Sequence, residues 1–207
     1  MTTYTSQPDE ATGIDTYILS NNATTNYGTG SVIIVGYKDN GLNPPTVGRG
    51  LVKFDLSSIP VNASVISANL YVWVAADNSD NARTLSAYRV LRAWVETQST
   101  WNIYSTGNNW GTAGCGNTST DREAASIGSA AVGASEAVGT MITISLNTSK
   151  VEEWISGTLT NNGLLLKVDT ESWDQYSYDS SSSVTAGERP KLVIEYNSDR
   201  RKSAVFF

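Results

Sequence analysis

Hydrophobic residues recur at every second position through much of the chain. In NLYVWVAA, Leu70, Val72 and Val74 alternate with Tyr71 and Trp73, the period of two expected of a strand with two unlike faces. RGLVKFDL repeats the pattern with Val52, Phe54 and Leu56, and MITISL with Ile142, Ile144 and Leu146. GLLLKVD does so with Leu164, Leu166 and Val168, and KLVIEY with Leu192, Ile194 and Tyr196. DTYILS, SVIIVGY and RTLSAYRVLRAW carry weaker versions. Turns rich in Gly, Asn, Ser and Asp separate these runs, so the pattern predicts about eight strands at the spacing of a β-sandwich.

One segment breaks the period. In LNTSKVEEWISGT, Val151, Trp154 and Ile155 fall at i, i+3 and i+4, so the spacing predicts one short helix laid with its apolar face on the sandwich. Thr148 or Ser149 is the expected N-cap, Glu152 and Glu153 follow it, and Gly157 supplies the stop. Two long polar segments, residues 102–138 and 170–190, read as loops of a length that is more often functional than incidental. The chain divides into an N-terminal arm (1–9), one sandwich domain (10–197) and a basic, then apolar, C-terminal tail (198–207).

Composition narrows the function classes. The 207 residues carry a net charge of −6, which argues against nucleic acid as the main partner. No apolar run approaches the roughly 20 residues of a membrane span. The first residues, MTTYTSQPDE, lack the charged and apolar regions of a secretory signal peptide. The chain contains no histidine, so Ser-His-Asp and Cys-His triads and histidine-based zinc sites are excluded. The single Cys115 reads as an incidental loop thiol. The acidic pairs Asp121/Glu123 and Glu152/Glu153 do not suggest a catalytic couple; the latter two, adjacent on a helix, point about 100° apart. No cofactor is expected. The one metal option, calcium held by Asp9, Glu10 and Asp15, lacks a calcium-loop motif and ranks below plain surface acids.

The ordered motifs DTYI, TTNYG, RGLVKFDLSSIPVNASVISANLYVWV, YRVLRAWVETQSTW, NNWGTAGCGNTSTD, LNTSKVEEWISGTLTNNGLLL and ERPKLVIEY resemble the DNRLRE-type β-sandwich domain, from about Asp15 to Tyr196. Its relatives include carbohydrate-binding modules of polysaccharide lyases and repeats of surface proteins. The resemblance implies an all-β, antiparallel, jelly-roll-like β-sandwich, usually non-catalytic. In this family the segment before the final RP often returns as a strand, which would bury Tyr176 and Tyr178.

Two functions follow. The favoured one is a non-catalytic structural or attachment protein, on a virion as decoration or tail component, or on a cell surface. Its partners would be protein subunits or further copies of itself. It rests on the tail, where Arg200, Arg201 and Lys202 would meet an acidic rim and Val205, Phe206 and Phe207 would insert into a neighbour. The alternative is a carbohydrate-binding module that holds polysaccharide on the loop aromatics Trp110, Trp173, Tyr176 and Tyr178. Either reading places the protein outside the cell or on a virion surface. Trp94, Trp101 and Trp154 are assigned to the scaffold, since buried aromatics dominate core energetics.

Overall fold

A computed structural model describes residues 1–38 and 45–198. Its strands are β1 (Thr2–Ser6), β2 (Ile14–Leu19), β3 (Val32–Lys38), β4 (Thr46–Lys53), β5 (Ser64–Asn78), β6 (Arg83–Arg89), β7 (Ile103–Ser105), β8 (Asn108–Asn109), β9 (Gly128–Val132), β10 (Met141–Leu146), β11 (Leu164–Val168), β12 (Gln175–Asp179) and β13 (Lys191–Asn197), with one helix, α1 (Thr148–Ile155). The fold is all-β with one short helix, in a sandwich-like arrangement, as the period-two pattern predicted. The strand order is β1-β13-β5-β10-β9-β6-β11-β4-β3-β12, with β2 on the remaining edge of β4 and β7-β8 a separate hairpin. β12 pairs with both β3 and β5, so the path closes on itself.

Alternation explains the main core. On β5, Leu70, Val72 and Val74 are fully buried, and they face Leu164, Leu166, Ile33 and Val35 of the opposite layer in one cluster. Each such side chain contributes about 1.5–3 kcal/mol on leaving water. Helix α1 closes one end, burying Val151, Trp154 and Ile155 as its spacing required. Its N-cap is Asn147 rather than Thr148 or Ser149. β10 ends at Leu146, so Asn147 is the first residue free to turn, and its side chain accepts from the Lys150 N–H at 3.1 Å. Gly157, at φ +74°, ends the helix.

A second, smaller core lies on the outer face of β2, β4 and β11. Ile18, Leu51 and Leu165 point away from the main core and are covered by Val90, Trp94, Trp110 and Cys115 from the segment that follows β6. That segment is pinned at several points. The Trp94 indole N–H donates to Asn162 O at 2.7 Å, and the Trp110 N–H to Thr100 O at 3.0 Å. The fully buried Asp121 accepts backbone N–H groups from Gly111, Thr112 and Asn117 at 2.7–3.0 Å. Gly114 lies so close to the Trp101 ring that a Cβ there would sit 2.6 Å from it. The inner side of the long first loop is therefore packed onto the sheet, while residues 106–109, 111–113, 118–120 and 124–126 stay exposed.

Several strands lie outside the initial reading. β1, from the N-terminal arm, pairs with the edge strand β13. β9 joins β10 to β6 although its sequence, GSAAV, has no large side chains. β6 stops at Arg89 rather than continuing to Trp94, because Val90 makes only a single bridge, to Arg122.

Candidate functional site

Five of the six tryptophans are buried or half-buried, and Trp173 is 64% exposed. It is also one of three non-glycine residues with positive φ among the described residues, at +62°. A bulky residue in that region costs of order 1–3 kcal/mol, so the surrounding contacts must impose it. They do so on both sides. Asp174 is fully buried; its Oδ1 accepts the N–H groups of Asp80 and Asn81, each at 2.9 Å, and its Oδ2 pairs with Arg83. The Asp174 carbonyl accepts the Tyr37 N–H at 2.8 Å. A Cβ on Gly36 would collide with that same carbonyl, and Gly36 has φ +108°, so glycine is required there. On the other side, the Ser172 carbonyl accepts from Arg83 at 3.1 Å. One residue earlier, Glu171 takes a bidentate pair from Arg49 at 2.7 and 2.8 Å.

The backbone from 171 to 174 is thus fixed while the indole between them points outward. Tyr37 extends the aromatic surface, its ring centroid 6.0 Å from that of Trp173 and tilted by 52°. The Lys167 ammonium stands 3.7 Å from Glu171, and burial pushes it below its usual range while Glu171 draws it up. Arg49 also donates to Gly114 O at 2.6 Å and lies 5.0 Å over the Trp101 ring, tying the platform to the packed loop. The result is an exposed indole on a fixed backbone, with the half-buried Tyr37 ring at its side, next to an Arg–Glu–Lys cluster. It can stack a ring beside charged groups that are 14–17% exposed and paired with one another, and it holds no nucleophile paired to a base.

The other residues assigned to contact are not surface. Trp110 is 5% exposed; it fills the second core and packs on Tyr104 at 5.5 Å. Tyr176 and Tyr178 are fully buried on β12, because that strand sits between β3 and β5 and turns both rings into the main core. The Tyr176 hydroxyl donates to Asn81 O at 2.8 Å. These three assignments are corrected: the aromatics belong to packing. The tail residues Arg200, Arg201, Lys202, Val205, Phe206 and Phe207 lie outside the described residues. Trp94 and Trp154 are buried, and Trp101 is half-buried against Arg49.

The acids are committed elsewhere. Glu123 and Glu153 both pair with Arg89, which is 1% exposed. Asp9 accepts from Thr12, whereas the buried Asp15 accepts from the Ser181 N–H at 2.8 Å. Among the described residues no three His, Cys, Asp or Glu side chains gather as a metal site would need. No helix among them is long and apolar enough to cross a membrane. Cys115 lies in the loop, fully buried, with φ +56°.

Sequence reasoning singled out Trp173, which is exposed, and did not name Tyr37, Arg49, Lys167, Glu171 or Arg83, which surround it. Arg49 and Glu171 are 122 residues apart, and only the folded chain joins them. The sequence model of carbohydrate-binding module family 96 matches residues 6–119, more than half of the chain. That span includes Tyr37, Arg49 and Arg83 but stops short of Trp173. No curated protein matches the chain.

Proposed function

We propose that this chain, which belongs to carbohydrate-binding module family 96, is a non-catalytic module that holds a polysaccharide on the Trp173–Tyr37 platform. One observation carries the choice of site: Trp173 is 64% exposed, in a strained conformation, on a backbone fixed at Glu171, Ser172 and Asp174. An exposed apolar ring held this way pays little ordering entropy on binding. The C–H face of a sugar ring is apolar and weakly positive, which complements the negative face of an aromatic ring. Arg49, Glu171 and Lys167 supply directional hydrogen bonds beside the stacked ring.

Family membership favours polysaccharide over the attachment role first inferred, whose assembly residues lie outside the described ones. The DNRLRE-type assignment is the finer label we attach to the same scaffold, and an extracellular or cell-surface setting goes with it. Affinity electrophoresis through gels containing a panel of neutral and acidic polysaccharides tests the reading. At least one should retard the wild-type protein, and Trp173→Ala should weaken the retardation without changing the circular dichroism spectrum. Equal retardation of both proteins would place binding elsewhere.

A further inference from the structure

At the opposite end of β4 from the platform, a cavity of about 540 Å³ opens beside α1. Val47, which pairs with Tyr37, and Lys53, which lines the cavity, are six residues apart, so about 20 Å separates the two places along the strand. The volume is in the range of small-ligand sites. Ile14, Ile59, Val61 and Ile155 supply apolar wall, and Ile14 and Val61 are exposed, by 36% and 72%. Two neighbouring depressions, of about 390 and 280 Å³, share Ile14 and Lys53 with the cavity, so the three adjoin in one groove around these residues.

Two donors in this wall have no acceptor among the described residues. Trp154 is 7% exposed, and its indole N–H makes no hydrogen bond. The Lys53 ammonium makes no hydrogen bond and no ion pair within 4 Å, although it attracts the Asp55 carboxylate from further off. The nearby acceptors are engaged by other donors: each Asp55 carboxylate oxygen takes one from Ser57 at 2.9 Å, and Asn161 Oδ1 takes the Gly163 N–H at 3.0 Å. A buried donor without a partner is disfavoured, and a ligand rich in hydroxyl and ether oxygens would satisfy it. The charged residues lining the three depressions are Lys53, Asp55 and Glu96, one cation against two acids, so an anionic ligand gains nothing here.

We infer that this groove is a second carbohydrate site, taking a neutral oligosaccharide whose C–H face lies on Ile14 and Val61 and whose oxygens accept from Trp154 and Lys53. The inference rests on the reading of the module as a polysaccharide binder. It makes the module bivalent, able to bridge two chains or to gain avidity on one.

The six indole N–H signals of the full-length ¹⁵N-labelled protein report both sites separately, with Trp154→Phe and Trp173→Phe assigning the two that matter. The probes are cellohexaose, xylohexaose, mannohexaose and laminarihexaose, with hexagalacturonate as the charged comparison. A neutral probe should shift the Trp154 signal saturably, and should do so equally in Trp173→Ala. Lys53→Gln should weaken that titration by about tenfold, the value of a hydrogen bond to a charged group. Val61→Trp, which narrows an exposed wall, should abolish it. Movement of Trp173 with Trp154 unmoved by every probe would overturn the second site and leave the platform standing. Movement of Trp154 alone would support the groove and overturn the platform. A Trp154 response confined to hexagalacturonate would overturn the neutral ligand class, and no response at either indole would overturn both.

Discussion

Replacing Asp174 by alanine tests whether the platform is held by its buried carboxylate. The side chain is fully buried, accepts the Asp80 and Asn81 N–H groups at 2.9 Å each, and pairs with Arg83, itself 18% exposed. Truncation leaves two backbone donors and a guanidinium without their acceptor. Unmet buried groups cost about 1–3 kcal/mol each, and breaking a buried ion pair costs about 3–5 kcal/mol. Arg83 keeps its bond to Ser172 O and the loop can admit water, so the total should fall near 3–5 kcal/mol. At this chain length each kcal/mol is worth about 2–4 °C, so Tm should drop by about 6–20 °C. Guanidinium titration followed by far-ultraviolet circular dichroism and by tryptophan fluorescence measures it, with coincident curves as the two-state check. Asp174→Asn keeps one acceptor oxygen and should lose less. The pH dependence has a definite sign. Burial pushes the carboxyl up, but the donors from Asp80, Asn81 and Arg83 outweigh it and hold the group below the usual range. Its stabilisation is then complete at neutral pH and disappears only as pH falls from about 3.9 through the lowered folded value. A loss below about 1 kcal/mol for Asp174→Ala would refute the argument.

Trp110→Ala should destabilise by about 3–5 kcal/mol, since the ring is 5% exposed and its N–H bonds Thr100 O, yet leave the affinity of the folded protein for polysaccharide unchanged. A lost affinity with intact stability would restore Trp110 as a contact residue. Burial and the neighbouring Asp121 push the Cys115 thiol well above its ordinary value, so the native protein should resist Ellman's reagent at pH 8 and react once denatured. Rapid native reaction would contradict the packed loop. Asp15 is raised by burial, against the Ser181 hydrogen bond, so the folded state holds the proton more tightly than the unfolded chain. Its stabilisation is present at low pH and is lost as pH rises from about 3.9 through the raised folded value. Asp15→Asn, which can still accept from Ser181, should therefore match or exceed wild-type stability at pH 7 and flatten the pH profile from 4 to 7; a less stable variant at pH 7 would reverse the sign.

The two halves of this molecule were not equally legible. β5, β10 and β13 announce themselves by alternation, β11 by an apolar run, and α1 because its three apolar residues share a stripe. β9 escaped notice because the sheet recruits its backbone and leaves its small side chains without a pattern. The outer-face core was hidden for a related reason: Ile18, Leu51 and Leu165 interrupt the alternation, and only the fold shows that residues 91–126 cover them. Aromatic residues in polar loops looked like contact surface, but Trp110 closes that cover and Tyr176 and Tyr178 sit on a central strand. Trp173 differs through its backbone, fixed by Asp174 against Tyr37, a constraint that spans more than 130 residues of chain.

The account stands most directly on one titration. Isothermal calorimetry of wild-type protein and Trp173→Ala should use the soluble polysaccharide that retards the wild type most, with Tm recorded for both. Loss of one aromatic stack is worth about 1–3 kcal/mol, so affinity should fall by about 5-fold to 150-fold at unchanged Tm. Equal affinities, or no binding of any polysaccharide by the wild-type protein, would contradict it.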